Sequence, residues 1–513
     1  MKLLGISHDM KNNFKELNSA NADTDRLLAS VPTVVRATEW IVRRLPPELF
    51  STSLIQDYPG HNSTVQQALE GVVVWDSVFF HRIALCGYEF EQAYAFFPLL
   101  PLLMRLLATA TPCECFLLSS LALVNVTTRS PISPSRPPQF IHYSESLFAL
   151  LSFAAMSCVV SGRWVSASLL IALSAAARSN GVLHAGFFLF SLLQAAGPLI
   201  LLLLPRRLLQ RLFSAVRPQG DDDRHTSHRS TGRETDRRVS AAGVAGRIAL
   251  LRERKWLLCL TRHFPILLST ALCCLLAFSL LLSFQFFAFT QFCRPASTAT
   301  PHDVPPWCFD SVPYIYGYVQ RKYWDVGFLR YFQLKQLPNF LLAAPTLLLS
   351  LSAILSFALA RPLLFLSLGL LSSPADQPHL LFLPPPNHPQ AREREEGVEE
   401  EKGEEGEVEW RRYDRFSGCK GFYSAAALPF LLQLLFMTAV ATLVMHVQVA
   451  TRFLSSSPPL YWFLAHLLTS SIPNQSPPKE KSWRLFIIRA WIGASLGYAV
   501  IGSLLFINFY PFT

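Results

Sequence analysis

The sequence predicts an all-α polytopic membrane protein, and three observations carry that reading. Of 513 residues, 51% are hydrophobic and only 16% are charged, too apolar a balance for a soluble chain of this length. The apolar residues arrive in blocks that approach or pass the roughly 20 residues a spanning helix needs. Several blocks, such as Leu199–Leu204 and Phe278–Phe289, carry almost no polar stripe, whereas a soluble helix keeps one face for water.

Taken in order, the expected spans are 143–160, 164–180, 182–204, 264–292, 339–360, 423–446 and 485–510, with 96–112 and 114–127 as a weaker hairpin. Together they predict about eight to ten passes. The net charge of +10 is concentrated in one interspan loop, since residues 206–262 hold 14 Lys and Arg against 6 acids. That local excess reads as a cytosolic loop by the positive-inside tendency, not as a nucleic-acid footprint. Alternating outward from it makes 293–338 luminal, 391–416 cytosolic and 447–484 luminal, and puts Asp76 and Arg178–Gly181 in the lumen. The sequons at Asn62 and Asn474 fall on the same side, where glycosylation occurs. The domain plan that follows is a largely soluble 1–74, a first bundle over 75–205, the basic loop 206–262, helices and a large luminal loop over 263–390, an acidic insert over 391–416 and C-terminal helices over 417–513. The stretches 217–240 and 391–416 lack apolar periodicity and read as disordered inserts. Residues 363–383, bracketed by Pro362 and Pro384, are expected to be re-entrant or interfacial.

The ten cysteines show no Cys-x-x-Cys spacing, so a structural zinc site is not expected. Cys293 and Cys308 share the oxidising luminal loop and are candidates for a disulfide. No Walker loop, dinucleotide fingerprint, His-Glu-x-x-His helix or nucleophile elbow is present. No acidic cluster has convincing metal-ligand spacing, and no cofactor is expected.

The unusual polar clusters fall on one face: Trp75-Asp76, Glu89 and Glu91, Tyr143-Ser144-Glu145, Arg178-Ser179-Asn180, Tyr323 to Lys335, and His446 to Arg452. Polar groups at span ends are costly in lipid unless they face a cavity or one another, so their convergence points to a luminal cleft. The plainer alternative, interfacial anchoring by Tyr, Trp and Arg, stays open for each cluster singly.

Longer strings resemble one family. Trp75-Asp76 followed by Gly87-Tyr88, Glu91 and Ala95-Phe96-Phe97-Pro98, then Tyr143 to Leu150 and Ala177-Arg178-Ser179-Asn180-Gly181, are similar to blocks of the PIG-V family of second GPI mannosyltransferases. Pro305-Pro306-Trp307-Cys308-Phe309, Tyr323-Trp324, Val326 to Leu329, Leu334-Lys335-Gln336 and Pro338 to Pro345 continue the resemblance, as do Met445 to Val449 and Thr451-Arg452-Phe453. The resemblance implies a GT-C type glycosyltransferase of the endoplasmic reticulum membrane. It implies transfer of mannose from dolichyl-phosphate mannose onto a GPI precursor carrying one mannose, in α-1,6 linkage with inversion. Such a reaction needs a carboxylate base and cationic groups for the departing phosphate. Asp76 matches the family's Trp-Asp motif as base, with Glu91 and Glu145 in reserve. Arg178, Arg330, Lys335 and Arg452 are placed for the phosphate, and bidentate geometry favours the arginines. Trp75, Trp307 and Trp324 are candidates to stack on sugar, with Asn180, His446 and Gln448 for polar contacts to substrate.

Three departures stand beside the match. Residues 1–74 contain no span where the family carries one, so a truncated or altered N-terminus is expected. The stretch 106–142 is short and rich in proline, and Asp310-Ser311 follows Phe309 where the family reads Trp-Asp. Two readings compete with an active enzyme: a catalytically dead homologue serving as a subunit, and a polytopic lipid or sugar transporter, although no internal repeat supports the latter. The need for an accessory membrane subunit stays open.

Overall fold

The computed structural model of the chain describes residues 76–110, 144–203, 256–293, 304–373, 376–380, 421–469 and 478–498. Trp75, Asn62, Asn474, the run 114–127 and the stretches 217–240 and 391–416 lie outside them. The described residues form helices joined by turns, with no strand among them. In chain order the helices are α1 (Asp76–Cys86), α2 (Leu99–Ala110), α3 (Glu145–Val160), α4 (Trp164–Ala177), α5 (Gly186–Leu203), α6 (Trp256–Phe292), α7 (Ile315–Trp324), α8 (Leu337–Ala360), α9 (Pro362–Leu366), α10 (Gln377–Leu380), α11 (Leu428–Leu443), α12 (Ala450–Leu454), α13 (Pro458–Thr469) and α14 (Pro478–Gly497).

Among the described residues, three helical stretches are long and apolar enough to cross a membrane: Leu268–Phe292, Leu334–Ala360 and Ala425–Leu443. Two of the other expected spans, 164–180 and 182–204, are shorter than the sequence suggests, and the reason is local. The run 164–180 stops at Ala177 because Arg178 leaves the helix in an extended conformation. The run 182–204 becomes a 3-10 turn, Ser179–Ala185, before α5 begins. In both places backbone that the apolar pattern would make helical is diverted to aim polar side chains. In the opposite direction, α6 is already helical at Trp256, inside the expected basic loop, and continues to Phe292. Its Leu268, Leu272, Leu275, Leu282 and Phe286 are exposed while Cys273, Ala277, Phe284 and Ala288 are buried. A helix apolar on both its packed and its open face is built for lipid, not water.

Contacts divide the chain into two compact units. The first comprises Met1–Ala185, Leu276–Ile354 and Phe430–Thr513. Here α3 and α4 form a tight hairpin turned at Gly162, whose φ of +68° admits the left-handed cap. Arg163 N–H bonds to Cys158 C=O at 2.9 Å and Gly162 N–H to Val159 C=O at 3.0 Å, closing the last carbonyls of α3. Phe80, Ile83 and Ala84 of α1 pack with Leu100 and Met104 of α2, Leu147 and Phe148 of α3 and Ala177 of α4. This core holds the beginning of α1 beside the beginning of α3. A second cluster of Tyr94, Phe97, Phe284, Ala288, Trp307, Ile315 and Val319 seats α7 against α6 and the 91–97 segment.

The second unit comprises Gly186–Leu275 and Leu355–Pro429. The segment expected to be re-entrant is folded by a fully buried ion pair. Arg361 Nη2 meets Asp376 Oδ2 at 2.5 Å, and Nη1 donates to Tyr423 C=O at 3.1 Å. Ser373 Oγ donates to the same carboxylate at 2.7 Å. Helix α9 ends after one turn where Leu368 and Gly369 take left-handed φ of +53° and +84°, and Gly369 N–H bonds back to Leu364 C=O at 2.9 Å.

Two outcomes follow. A Cβ on Gly181 would lie 2.3 Å from backbone atoms of Ser174 and Ala175, whereas one on Gly186 meets nothing within 4 Å. Gly181→Ala should cost more than about 3 kcal/mol, read as lost monodisperse protein in detergent, while Gly186→Ala is tolerated. Arg361→Met leaves a buried carboxylate without its cation and should lower stability by about 3–5 kcal/mol, with Arg361→Met/Asp376→Leu less harmful than either single change. Additive losses in thermal unfolding of the double variant would rule out the pair as a coupled unit.

Candidate active site

Four charged side chains from distant parts of the sequence meet in the first unit. Asp76 is the first described residue of α1, and Glu145 opens α3, where the unpaired N–H groups of the helix N-terminus favour negative charge. Arg178 follows α4 and Arg452 lies in α12. Arg178 Nη1 donates to Glu145 Oε1. Arg452 reaches both acids, with Nη2 at 3.4 Å from Asp76 Oδ2 and Nε at 3.4 Å from Glu145 Oε1. One guanidinium thus bridges two carboxylates, and a second guanidinium backs one of them. Glu145 is the more deeply buried acid, while Asp76 keeps 36% of its side-chain surface open. Burial is the largest influence on Asp76 and lifts its pKa above the ordinary carboxylate value. Arg452 and Arg178 pull it back and Glu145 pushes it up.

The turn that carries Arg178 is built for the purpose. Gly181 lets the chain lie directly on the end of α4, which fixes Arg178, Ser179 and Asn180 in sequence. Ser179 Oγ and Tyr316 OH are 2.8 Å apart, linking the turn to α7. Burial holds the Tyr316 phenol above its usual pKa, so it serves as a neutral hydroxyl. His184, at the far end of the turn, lies 2.9 Å from Ser152 Oγ and 2.7 Å from Gln433 Nε2. Neither Tyr316 nor His184 stands out in the sequence. Tyr316 sits in a tyrosine-rich helix and His184 in an apolar run, and only the fold reveals their partners.

Glu145 Oε2 in the cluster and Asn180 Nδ2, two residues after Arg178, are buried with no hydrogen-bond partner among the described residues. Each such atom costs about 1–3 kcal/mol when nothing fills it. An open acceptor and an open donor, next to two arginines and a recessed carboxylate, suit a ligand that carries hydroxyls and a phosphate. Among the described residues no group of three or more His, Cys, Asp and Glu could hold a metal ion.

The other expected site residues lie elsewhere in the same unit. Glu91 stands apart from the four-residue cluster: its carboxylate accepts from Trp307 Nε1 at 3.1 Å, Lys322 Nζ at 2.8 Å and Tyr323 OH at 2.9 Å. With three donors attached it acts as a tie between the 91–95 turn and the 304–324 segment. Trp307 corrects an expectation, because it is 1% exposed and cannot stack on a sugar. Beside it, Cys308 is disulfide-bonded to Cys293 at the end of α6, with Cα atoms 5.5 Å apart. Trp324 is partly buried and packs edge-on against Phe96. Arg330 pairs with its neighbour Asp325 on the surface, and Lys335 is exposed. His446 stacks on Tyr331 with ring centres 4.6 Å apart, and Gln448 accepts from Tyr331 OH at 3.3 Å. These two residues thus brace the strap that leads into Arg452. Thr451 Oγ1 lies 3.5 Å from Thr346 Oγ1 of α8 and steadies the same strap.

The sequence profile described as Mannosyltransferase (PIG-V) matches residues 46–130, 139–216 and 249–513, segments that contain all four members of the cluster. GPI alpha-1,6-mannosyltransferase 2 of Cricetulus griseus is 29% identical, covering 91% of this chain and 92% of its own. The protein of the same name from Homo sapiens is 28% identical over the same shares. GPI mannosyltransferase 2 of Drosophila pseudoobscura pseudoobscura is 26% identical over 89% of each chain. No solved structure matches. A profile running through both acids and both arginines, and over most of the length, establishes that the chain belongs to the PIG-V family of mannosyltransferases.

Proposed function

We propose that the chain adds the second mannose of the GPI core, in α-1,6 linkage, to a precursor carrying one mannose. The donor is dolichyl-phosphate mannose, and the reaction takes place at the luminal face of the endoplasmic reticulum membrane on a GT-C type fold. The family and the names of the relatives support the chemistry. The observation that carries the site assignment is the bridging of Asp76 and Glu145 by Arg452.

In this reading Asp76 accepts the proton of the acceptor hydroxyl as its oxygen attacks the anomeric carbon. The carbon–oxygen bond to the phosphate breaks as the new glycosidic bond forms, and dolichyl phosphate departs with the electron pair. One displacement turns a β-linked donor into an α-linked product. The raised pKa makes Asp76 a stronger base than an ordinary aspartate, while its remaining exposure leaves it reachable. Arg452 and Arg178 stand where a phosphate's growing charge needs fixed donors. Glu145 orients both arginines through one oxygen and offers the other, with Asn180, to sugar hydroxyls.

Asp76→Asn should lower mannosyl transfer in microsomes by about 10²–10⁴-fold and fail to rescue cells that lack the second GPI mannose. Full rescue by this variant would remove Asp76 from the role of base. The pH profile gives a second, independent check. Asp76 works when ionised, so activity should be lost as pH falls through a value above the ordinary aspartate pKa of 3.8. Arg452→Gln, which removes the cation holding that pKa down, should move the acid limb to higher pH. Glu145→Gln, which removes a neighbouring negative charge, should move it to lower pH. An unmoved limb in both variants would show that another group titrates.

A further inference from the structure

The loop between α7 and α8 presents to the outside the kinds of side chain that loops usually hide. Phe328 is 70% exposed and Leu334 is 93% exposed, and Leu329, Phe332 and Leu337 are also exposed. Arg330 and Lys335 are interleaved with them. The loop is nonetheless held in one shape. Leu329 takes a left-handed φ of +56°, a conformation unfavourable for a non-glycine residue. Its N–H is held by Leu443 C=O at 2.7 Å. Tyr331 is fixed by Asn339, Gln448 and His446. Phe332 packs on Phe340 of α8, with ring centres 5.1 Å apart.

What covers this surface follows from its continuity with α8. The stretch long and apolar enough to cross a membrane begins at Leu334, inside the loop, not at the first α-helical turn. Along α8 the exposed face runs through Leu337, Leu341, Leu348 and Leu351, while Ala343, Leu347, Ser350 and Ala353 are buried. The apolar side chains of the loop extend that lipid-facing row past the end of the helix, with Gln333, Lys335 and the Asp325-paired Arg330 set between them. We propose that residues 326–337 are a rigid wedge seated in the membrane interface where α8 enters the bilayer. Phe328, Phe332 and Leu334 enter the acyl boundary, and Arg330 and Lys335 contact phospholipid headgroup phosphate. An interfacial element of this sort combines buried apolar area with basic side chains at headgroup depth. The proposal depends on α8 spanning the membrane and is independent of the mannosyl-transfer reading.

The test places the photocrosslinker p-benzoylphenylalanine at Leu334, at Phe328, or at exposed, polar Arg321 in the full-length protein. The protein is reconstituted in nanodiscs of phosphatidylcholine and phosphatidylglycerol, and adducts are identified by mass spectrometry. Lipid adducts at 334 and 328 should exceed those at 321 by at least about fivefold, as expected for side chains within the interface. Equal lipid yields at the three positions would overturn the wedge. So would crosslinking in native microsomes that goes to another polypeptide rather than to lipid. Phosphatidylglycerol should be enriched among the adducts over its share of the nanodisc, and Arg330→Gln/Lys335→Gln should erase the enrichment. Enrichment that survives both changes would overturn the assigned role of the two cations.

Discussion

The arrangement of the first unit depends on Arg452 standing between two carboxylates that the chain brings together from α1 and α3. Two acids that close would repel each other, and one of them would be forced to take up a proton. A shared guanidinium removes most of that conflict without quenching the difference between the acids. Glu145 is buried and tightly paired, and so acts as a fixed anion. Asp76 is partly open and only loosely held, and so keeps the capacity to exchange a proton. The division of labour comes from burial and geometry, since the side chains are chemically close.

Much of the surrounding structure can be understood as support for that bridge. The α1–α2–α3 core puts the Asp76 end of α1 beside the start of α3. Gly181 folds the Arg178 turn down onto α4. The strap from His446 to Arg452 is braced by Tyr331 and Thr346. Arg361 and Asp376 show the same economy in the second unit, where charges that are fully enclosed are paired as a fork and given additional hydrogen bonds.

The gathering of the candidate site's charges was largely legible in the sequence because charge near lipid is expensive. Asp76, Glu145, Arg178 and Arg452 stood out as ionisable residues at the ends of apolar runs, and the fold gathers all four. What the sequence could not resolve was which polar groups are satisfied by one another. Glu91 and Trp307 look like free functional groups until the hydrogen bond between them is seen. Tyr331 is held by nearby Asn339 but also centres a brace that the sequence does not announce, because His446 and Gln448 lie more than a hundred positions away. Span lengths were misjudged for a related reason. Hydropathy counts apolar residues but cannot register that Arg178 breaks the helix to aim its side chain, or that the start of α6 is already helical at Trp256. The pairing of Arg361 with Asp376 was also missed, although two opposite charges within an apolar, proline-bracketed stretch were its available clue.

The bond between Cys293 and Cys308 has a consequence for how the protein must be made. Trp307 is the next residue to Cys308, so the covalent link at the exit of α6 also decides where the indole stands. Glu91 takes its indole partner from the segment that this bond ties to α6. Material produced in a reducing cytosol is therefore expected to reach the membrane with that seam open, and the choice of expression host becomes part of the chemistry of the enzyme.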